Sequence, residues 1–170
     1  MRSPRLLTPE DADAFCELRR RALVDTPWAF IGAPGDDPAS NPVHMKEYLA
    51  GLEQCVAGMF DPDEPAKLVS VAGISRVDRV KARHRAYVWG VYTDPAHRGR
   101  GYGKAVMRAA IDVARSWDGV EVIGLSASAN SPDAVAVYQA CGFAVWGVEK
   151  DAIRLDAKPY DEVYMQLDLM

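Results

Sequence analysis

The amino-acid sequence predicts an α+β fold, a mixed and mostly antiparallel central sheet of about six or seven strands flanked by about four helices. Three observations lead to it. Short runs rich in β-branched and aromatic residues (55–60, 67–74, 85–92, 120–125, 143–149 and 160–167) are separated by Gly, Pro and Asp clusters, as turn-joined strands would be. Other stretches repeat apolar residues at helical spacing, before and between those runs. Between residues 85 and 125 the order is strand, glycine-rich turn, helix, strand, and such a crossover sets its two strands parallel. At 170 residues the chain is expected to form a single domain spanning 1–170.

The elements follow in order. Arg5-Leu6-Leu7 reads as a short first strand. Thr8, Pro9, Glu10 and Asp11 start a helix with a hydroxyl cap, a proline at the first helical position and acids in the first turn. Phe15, Leu18 and Ala22 form its apolar stripe, with Arg19, Arg20 and Arg21 expected on the far side and at the end. Residues 28–42 turn to Gly, Pro, Asp and Ser around Trp28, Phe30 and Ile31, which describes a loop whose aromatics either line a pocket or pin it to the core. Asn41-Pro42 opens a second helix through Val43, Met45, Tyr48, Leu49 and Leu52.

Residues 55–60 and 67–74 then suggest an antiparallel hairpin. The basic run from Arg76 to Arg85 contains no aromatic residue to stack on a base, so a solvated turn is the better reading. Gly90 interrupts the next strand, as a bulge or a close backbone approach would. Ala105, Val106, Ala109, Ala110, Val113, Ala114 and Trp117 give one face of a third helix, ended by Asp118-Gly119. Ser131 and Pro132 start a fourth, with Ala134, Val135, Tyr138 and Cys141 inside and Gly142 at its end.

Composition limits the function. A net charge of −4 gives no argument for nucleic acid or acidic membranes. No stretch approaches the ~18 apolar residues of a membrane span, and no signal-peptide apolar region follows the first residues. Cys16, Cys55 and Cys141 are odd in number and lack CxxC spacing, so buried thiols in a reducing cytoplasm are expected rather than disulfides or a metal site.

The stretch from Val91 through Tyr92, Thr93 and Asp94 to Lys104 concentrates the chemistry. Gly99, Gly101 and Gly103 leave backbone N–H groups uncovered where a helix N-terminus offers unpaired donors, an arrangement suited to a phosphate. A nucleotide-triphosphate loop would need Gly five residues before Gly103-Lys104 and a hydroxyl after it, but Arg98 and Ala105 stand there. A dinucleotide fingerprint would need G-x-G-x-x-G near the first strand, and the spacing here is G-x-G-x-G after two helices.

The spacing Arg98-x-x-Gly101-x-Gly103 after a strand resembles the GNAT superfamily of N-acetyltransferases. Asn130, Ala134, Tyr138 and Gly142-Phe143 resemble that family's second signature, N-x-x-A-x-x-x-Y-x-x-x-G-F. The likeness extends over essentially the whole chain, and the stretches 88–92 and 160–165 are similar to a bacterial subgroup without an assigned substrate.

The resemblance implies direct transfer of an acetyl group from acetyl-CoA to a primary amine. It implies that the pyrophosphate sits on Arg98, Gly99, Arg100, Gly101, Tyr102, Gly103 and Lys104, and that the pantetheine arm pairs with strand edges at Val91, Tyr92 and Thr93. Asn130 would contact the cofactor, the Val91 N–H would stabilise the oxyanion, and Tyr138 would be the general acid. The strand glutamate that many members use as a base is missing from 87–90, which leaves Asp161 and Glu162 as candidates and Glu149 as a weaker one. Trp28, Phe30 and Trp89 would line an acceptor pocket. The acceptor would be a small-molecule or peptide amine, with no metal, no nucleic acid, no membrane and a possible homodimer. The alternatives are a non-catalytic acyl-CoA-binding or sensor domain, and an acetyltransferase acting on a protein N-terminus or lysine.

Overall fold

The computed structural model describes residues 3–169. In chain order the elements are β1 (Arg5–Leu6), α1 (Ala12–Asp25), α2 (Pro42–Leu49), β2 (Gln54–Phe60), β3 (Leu68–Arg76), β4 (Arg85–Thr93), α3 (Tyr102–Arg115), β5 (Val122–Ser128), α4 (Pro132–Gln139), β6 (Ala144–Leu155) and β7 (Lys158–Asp168). The strands form one seven-stranded sheet in the order β1-β2-β3-β4-β5-β7-β6. Every neighbouring pair is antiparallel except β4 and β5, which are joined through α3 and run parallel.

Local chemistry starts each helix. The Thr8 N–H donates to Asp11 Oδ2 at 2.8 Å, closing the 3₁₀ turn Pro9–Asp11 that feeds α1. Arg5 donates to both oxygens of the same carboxylate, each at 2.7 Å, and so ties β1 to the helix start. Asn41 caps α2, its Oδ1 accepting from the Val43 N–H at 2.9 Å. That helix ends at Leu49, one turn short of the sequence expectation, and Leu52 beyond it is 93% exposed.

Helices cover both faces. On one, Val106, Met107, Ala110 and Ile111 of α3 and Tyr138 of α4 pack on Val88, Ile123, Leu125 and Met165. On the other, Phe15, Leu18 and Ala22 of α1 and Met45 of α2 pack on Val56, Leu68, Val71 and Tyr92. β5 extends to Ser128, further than its apolar run, because it pairs along its whole length with β7, from Val122 opposite Asp168 to Ser128 opposite Glu162. Cys16 and Cys55 are buried and unlinked, and burial pushes both thiols up to about 11.

Arg19 departs from the expectation. It sits at i+4 from Phe15 on the buried side of α1 and is only 8% exposed, not on the far side with Arg20. Trp89 fills the space between α1, α2 and the sheet, edge-on to Phe15 and Tyr48 with centroids 6.0 and 5.1 Å away. Its indole N–H donates to the Tyr48 hydroxyl at 2.9 Å, and its ring covers Gly73, where an added Cβ would lie 2.5 Å from Trp89 Cε2. Gly73→Ala is therefore expected to destabilise the protein by about 1–3 kcal/mol through overpacking. A lowered urea midpoint would show it, and an unchanged midpoint would mean that the indole is not held over that glycine.

Candidate functional site

The site begins where the sheet comes apart. β4 and β5 pair only at Arg85/Val122, Ala86/Ile123 and Tyr87/Gly124, although both strands continue. Against β3, the partner of β4 shifts from Val71/Tyr92 to Gly73/Trp89, which inserts one extra residue into β4. Gly90 lies in that bulge with φ +64, a conformation that favours glycine. The bulge turns β4 away from β5, so from Val88 onward its β5-facing edge has no strand partner. Val91 follows the bulge and packs toward α3 and α4, while Tyr92 packs on the opposite face with α1.

The glycine loop hangs at the end of β4. Gly99 and Gly101 have φ of +74 and +78, and a Cβ added at either would meet nothing within 4 Å. Gly101 caps α3 in the left-handed conformation and brings no side-chain acceptor. Ala105 is the first residue whose N–H finds a carbonyl, that of Gly101 at 3.0 Å, and the N–H groups of Gly99 to Lys104 have no acceptor among the described residues. Free donors, open space above two glycines and the positive end of a 14-residue helix make an anion cradle. Arg100 is exposed beside it, with Lys104 half-buried in the first turn.

Arg98 is placed differently from the sequence expectation. Its Nη2 donates to Asp25 at 2.5 Å and its Nε to the Thr93 carbonyl at 3.0 Å, so its charge is turned toward α1. Three more groups hold the approach to the loop, and for two of them, His97 and Asp94, spacing along the chain suggests no role. His97 is 6% exposed and lies with Nε2 2.8 Å from Asp61 and Nδ1 3.5 Å from Asp94. Asp94 also pairs with Arg21 of α1 and accepts from the Ala96 N–H at 3.0 Å. Burial works against its charge, yet the Ala96 N–H and Arg21 together hold it below the usual carboxylate range. Tyr102 stacks on the His97 ring with centroids 6.4 Å apart.

Tyr138 lies on the α3/α4 face of the sheet. It is 6% exposed, edge-on to Phe143, and its hydroxyl makes no hydrogen bond among the described residues. Burial first, and the Cys141 thiol second, push its pKa far above the usual phenol value. It therefore stays protonated throughout the neutral range. Asn130 is exposed, and its N–H donates to Ser128 Oγ at 3.2 Å.

The candidate bases separate. Asp161 is bound to Lys150 at 2.8 Å and to the Asp151 N–H at 3.0 Å, and those two contacts hold its carboxyl below the usual range. Glu149 accepts from the Tyr164 hydroxyl at 2.6 Å. The Glu162 carboxylate, on β7 opposite Ser128 at the wide end of the opening, makes no hydrogen bond or ion pair among the described residues.

Of the expected pocket aromatics, Trp89 is committed to packing under α1 and α2. Trp28 stacks on Tyr160 with centroids 6.5 Å apart, and Phe30 lies 4.4 Å from the Arg19 guanidinium. Arg19 donates from Nε and Nη2 to Asp37 at 2.9 and 3.0 Å. Burial opposes the Asp37 charge, but Arg19 still holds its carboxyl below the usual range. The signal that could have found Arg19 was its position on the apolar stripe of α1. No group of three or more His, Cys, Asp or Glu among the described residues could hold a metal, and none of the described helices is long and apolar enough to cross a membrane.

Residues 22–143 match the model of the acetyltransferase (GNAT) family. The chain is 30% identical over 150 residues to the N-alpha-acetyltransferase RimI of Mycobacterium tuberculosis, covering 88% of this chain and 82% of that one. It is also 30% identical over 128 residues to the L-amino acid N-acetyltransferase AaaT of Escherichia coli, covering 72% and 74%. Among solved structures it is similar to a GNAT-family acetyltransferase from Streptococcus pneumoniae (TM-score 0.86, 19% identity, 98% of each chain). The yncA acetyltransferase of Salmonella typhimurium, solved with its cofactor acetyl-CoA, matches with TM-score 0.83 and 21% identity over 99% and 94% of the two chains.

The left-handed Gly101 offers a direct check on the cradle. Gly101→Ala should strain the loop by about 1–2 kcal/mol. A loop distorted by that much should bind acetyl-CoA about tenfold more weakly. Titration calorimetry measures it, and an unchanged affinity would mean that the ligand does not read this turn.

Proposed function

The chain belongs to the GNAT family of acetyltransferases, and from that premise we propose that it acetylates a primary amine by direct attack on acetyl-CoA at the β4/β5 opening. The observation that carries this reading is the meeting of an unpaired β4 edge with a row of unused N–H groups at the start of α3. The names of the two curated relatives differ, one specifying only an α-amine and the other an L-amino acid, so the acceptor has to be read from this chain's own residues.

Acetyl-CoA supplies an activated acetyl thioester, at whose carbonyl carbon a C–N bond forms as the C–S bond breaks. The N–H groups from Gly99 to Lys104 and the α3 dipole hold the pyrophosphate, helped by Arg100 and Lys104; Arg98 acts through its grip on Asp25 and Thr93. The open edge of β4 from Val91 to Thr93 takes the amides of the pantetheine arm, and Asn130 lies beside it at the end of β5. The Val91 N–H, just past the bulge, stabilises the oxyanion.

Three proton movements remain. The ammonium loses one proton before attack, and the nitrogen loses a second as the C–S bond breaks. That second proton returns through water to the phenol, and the departing sulfur gains one. An alkylammonium has a pKa of about 10.4 and must lose a proton before it attacks. Glu162 takes that proton, directly or through water, because its carboxylate is unpaired while Asp161 is held by Lys150. Tyr138 supplies the hydrogen bond and the proton that the departing sulfur needs. A phenol kept neutral by burial is suited to that, since it never competes as an anion at neutral pH.

Tyr138→Phe should lower kcat by about 100-fold or more with little change in acetyl-CoA affinity, the range for a lost general acid. Full activity in steady-state kinetics would remove that role. Because the phenol pKa is raised, any basic limb due to Tyr138 should lie above about pH 10, the unperturbed value. Glu162→Gln should abolish the acidic limb of the pH–rate profile while Asp161→Asn retains it. The opposite result would exchange the two carboxylates.

A further inference from the structure

Four buried side-chain atoms have no hydrogen-bond partner among the described residues: Arg19 Nη1, Arg21 Nε, Trp28 Nε1 and His97 Nδ1. Arg21 and His97 belong to the charged cluster that supports the glycine loop. Arg19 and Trp28 lie outside that cluster, Arg19 on α1 beside Gly90 and Trp28 on the turn that follows α1, against Tyr160.

Arg19 is more than nine-tenths buried. Asp37 occupies its Nε and Nη2, and Phe30 covers its plane. Nη1 is left directed at the bulge, 3.9 Å from where a Cβ on Gly90 would stand. Trp28 sits on the 3₁₀ turn Pro27–Ala29, which touches α1 on one side and β5 and β6 on the other, and so bridges the gap between the two halves of the sheet. Its stacking on Tyr160 places it on the face of β7 that also presents Glu162, two residues along the strand. Both unpartnered atoms are donors, and each leaves a hydrogen bond unmade.

We propose that the acceptor amine carries an α-carboxylate, that is, a free amino acid, seated on Arg19 Nη1 and Trp28 Nε1 with its amino group toward Gly90, Val91 and Glu162. The inference rests on the acetyl-transfer reading of the same opening. A carboxylate supplies two oxygens for two donors that reach it from different elements, whereas an amide carbonyl supplies one. Asp37 fixes the Arg19 fork and offsets part of its charge, so recognition depends on pairing two dry donors more than on net attraction. A site built this way discriminates against a ligand lacking the oxygens, because the donors are then left unpaired. Both atoms are sealed from solvent, so an acceptor carboxylate reaching them is taken out of water.

Acetyl-CoA-dependent thiol release should be measured with the twenty common L-amino acids, their α-amides, short peptides and the corresponding decarboxylated amines. The expected result is turnover of one or more free amino acids, with kcat/KM about 100-fold lower or worse for the matched amide, peptide and decarboxylated amine. Trp28→Phe keeps the stack and removes the N–H, and should raise KM for the amino acid about tenfold without moving KM for acetyl-CoA. It is preferred to an Arg19 variant, which would strand Asp37 and can unfold the loop. Amides or decarboxylated amines turning over as well as the acid would overturn the proposal, as would no turnover of any amino acid or an unchanged KM in Trp28→Phe. If acetyl-CoA binds by calorimetry in those cases, the acetyl-transfer reading survives and only the carboxylate seat falls; absence of acetyl-CoA binding removes both.

Discussion

Two halves of one sheet are held together by parallel pairing at Arg85/Val122, Ala86/Ile123 and Tyr87/Gly124, and the rest of the structure follows from where that pairing stops. An unpaired strand edge inside a sheet leaves polar groups that must find partners or water. Here the bulge at Gly90 creates the edge, α3 and α4 wall it on one face, and α1 with its following loop covers it on the other. The opening is thus a stretch of backbone without a strand partner inside a packed domain, which suits a ligand that is itself amide-rich and extended.

The anion cradle at its end depends on charges from far along the chain. Glycines can leave N–H groups bare, but they cannot fix a loop. Arg98 is drawn to Asp25 of α1, Asp94 to Arg21 of the same helix, and His97 to Asp61 in the turn between β2 and β3. Two of these contacts join the loop to α1 and the third to the β2–β3 turn, so the donors of Gly99 to Lys104 are aimed before any ligand arrives. Preorganisation of that kind reduces the ordering cost of binding.

The α1 side of the opening is built on the opposite logic. Its contacts are few, dry and held by one loop. Arg19 and Asp37 pair with side chains 8% and 6% exposed, and this pair, more than any regular element, fixes residues 28–42 over α1. A buried pair of this type is costly to break from one side only, about 3–5 kcal/mol, because the remaining charge is left without compensation. The loop therefore has a firm anchor at Asp37, while its Trp28 end spans the opening.

Much of this was legible in order along the chain. The strand, glycine loop and helix from Arg85 to Arg115, the parallel crossover, the bulge at Gly90 and the stripe that buries Tyr138 rest on interactions within a few residues: left-handed glycines, helix caps and periodic burial. Those features are encoded locally, so residue type and spacing determine them. Only the tertiary structure decided that β7 inserts between β5 and β6, that Arg98 faces Asp25 instead of the cradle, that Trp89 belongs to the core, and that Arg19 is buried on Asp37. Each of these depends on partners separated by more than one element, and a long side chain on a helix stripe snorkels or turns inward according to what the fold brings opposite it. The sequence by itself determined the anion cradle; the surroundings of the opening on the α1 side came from the packing.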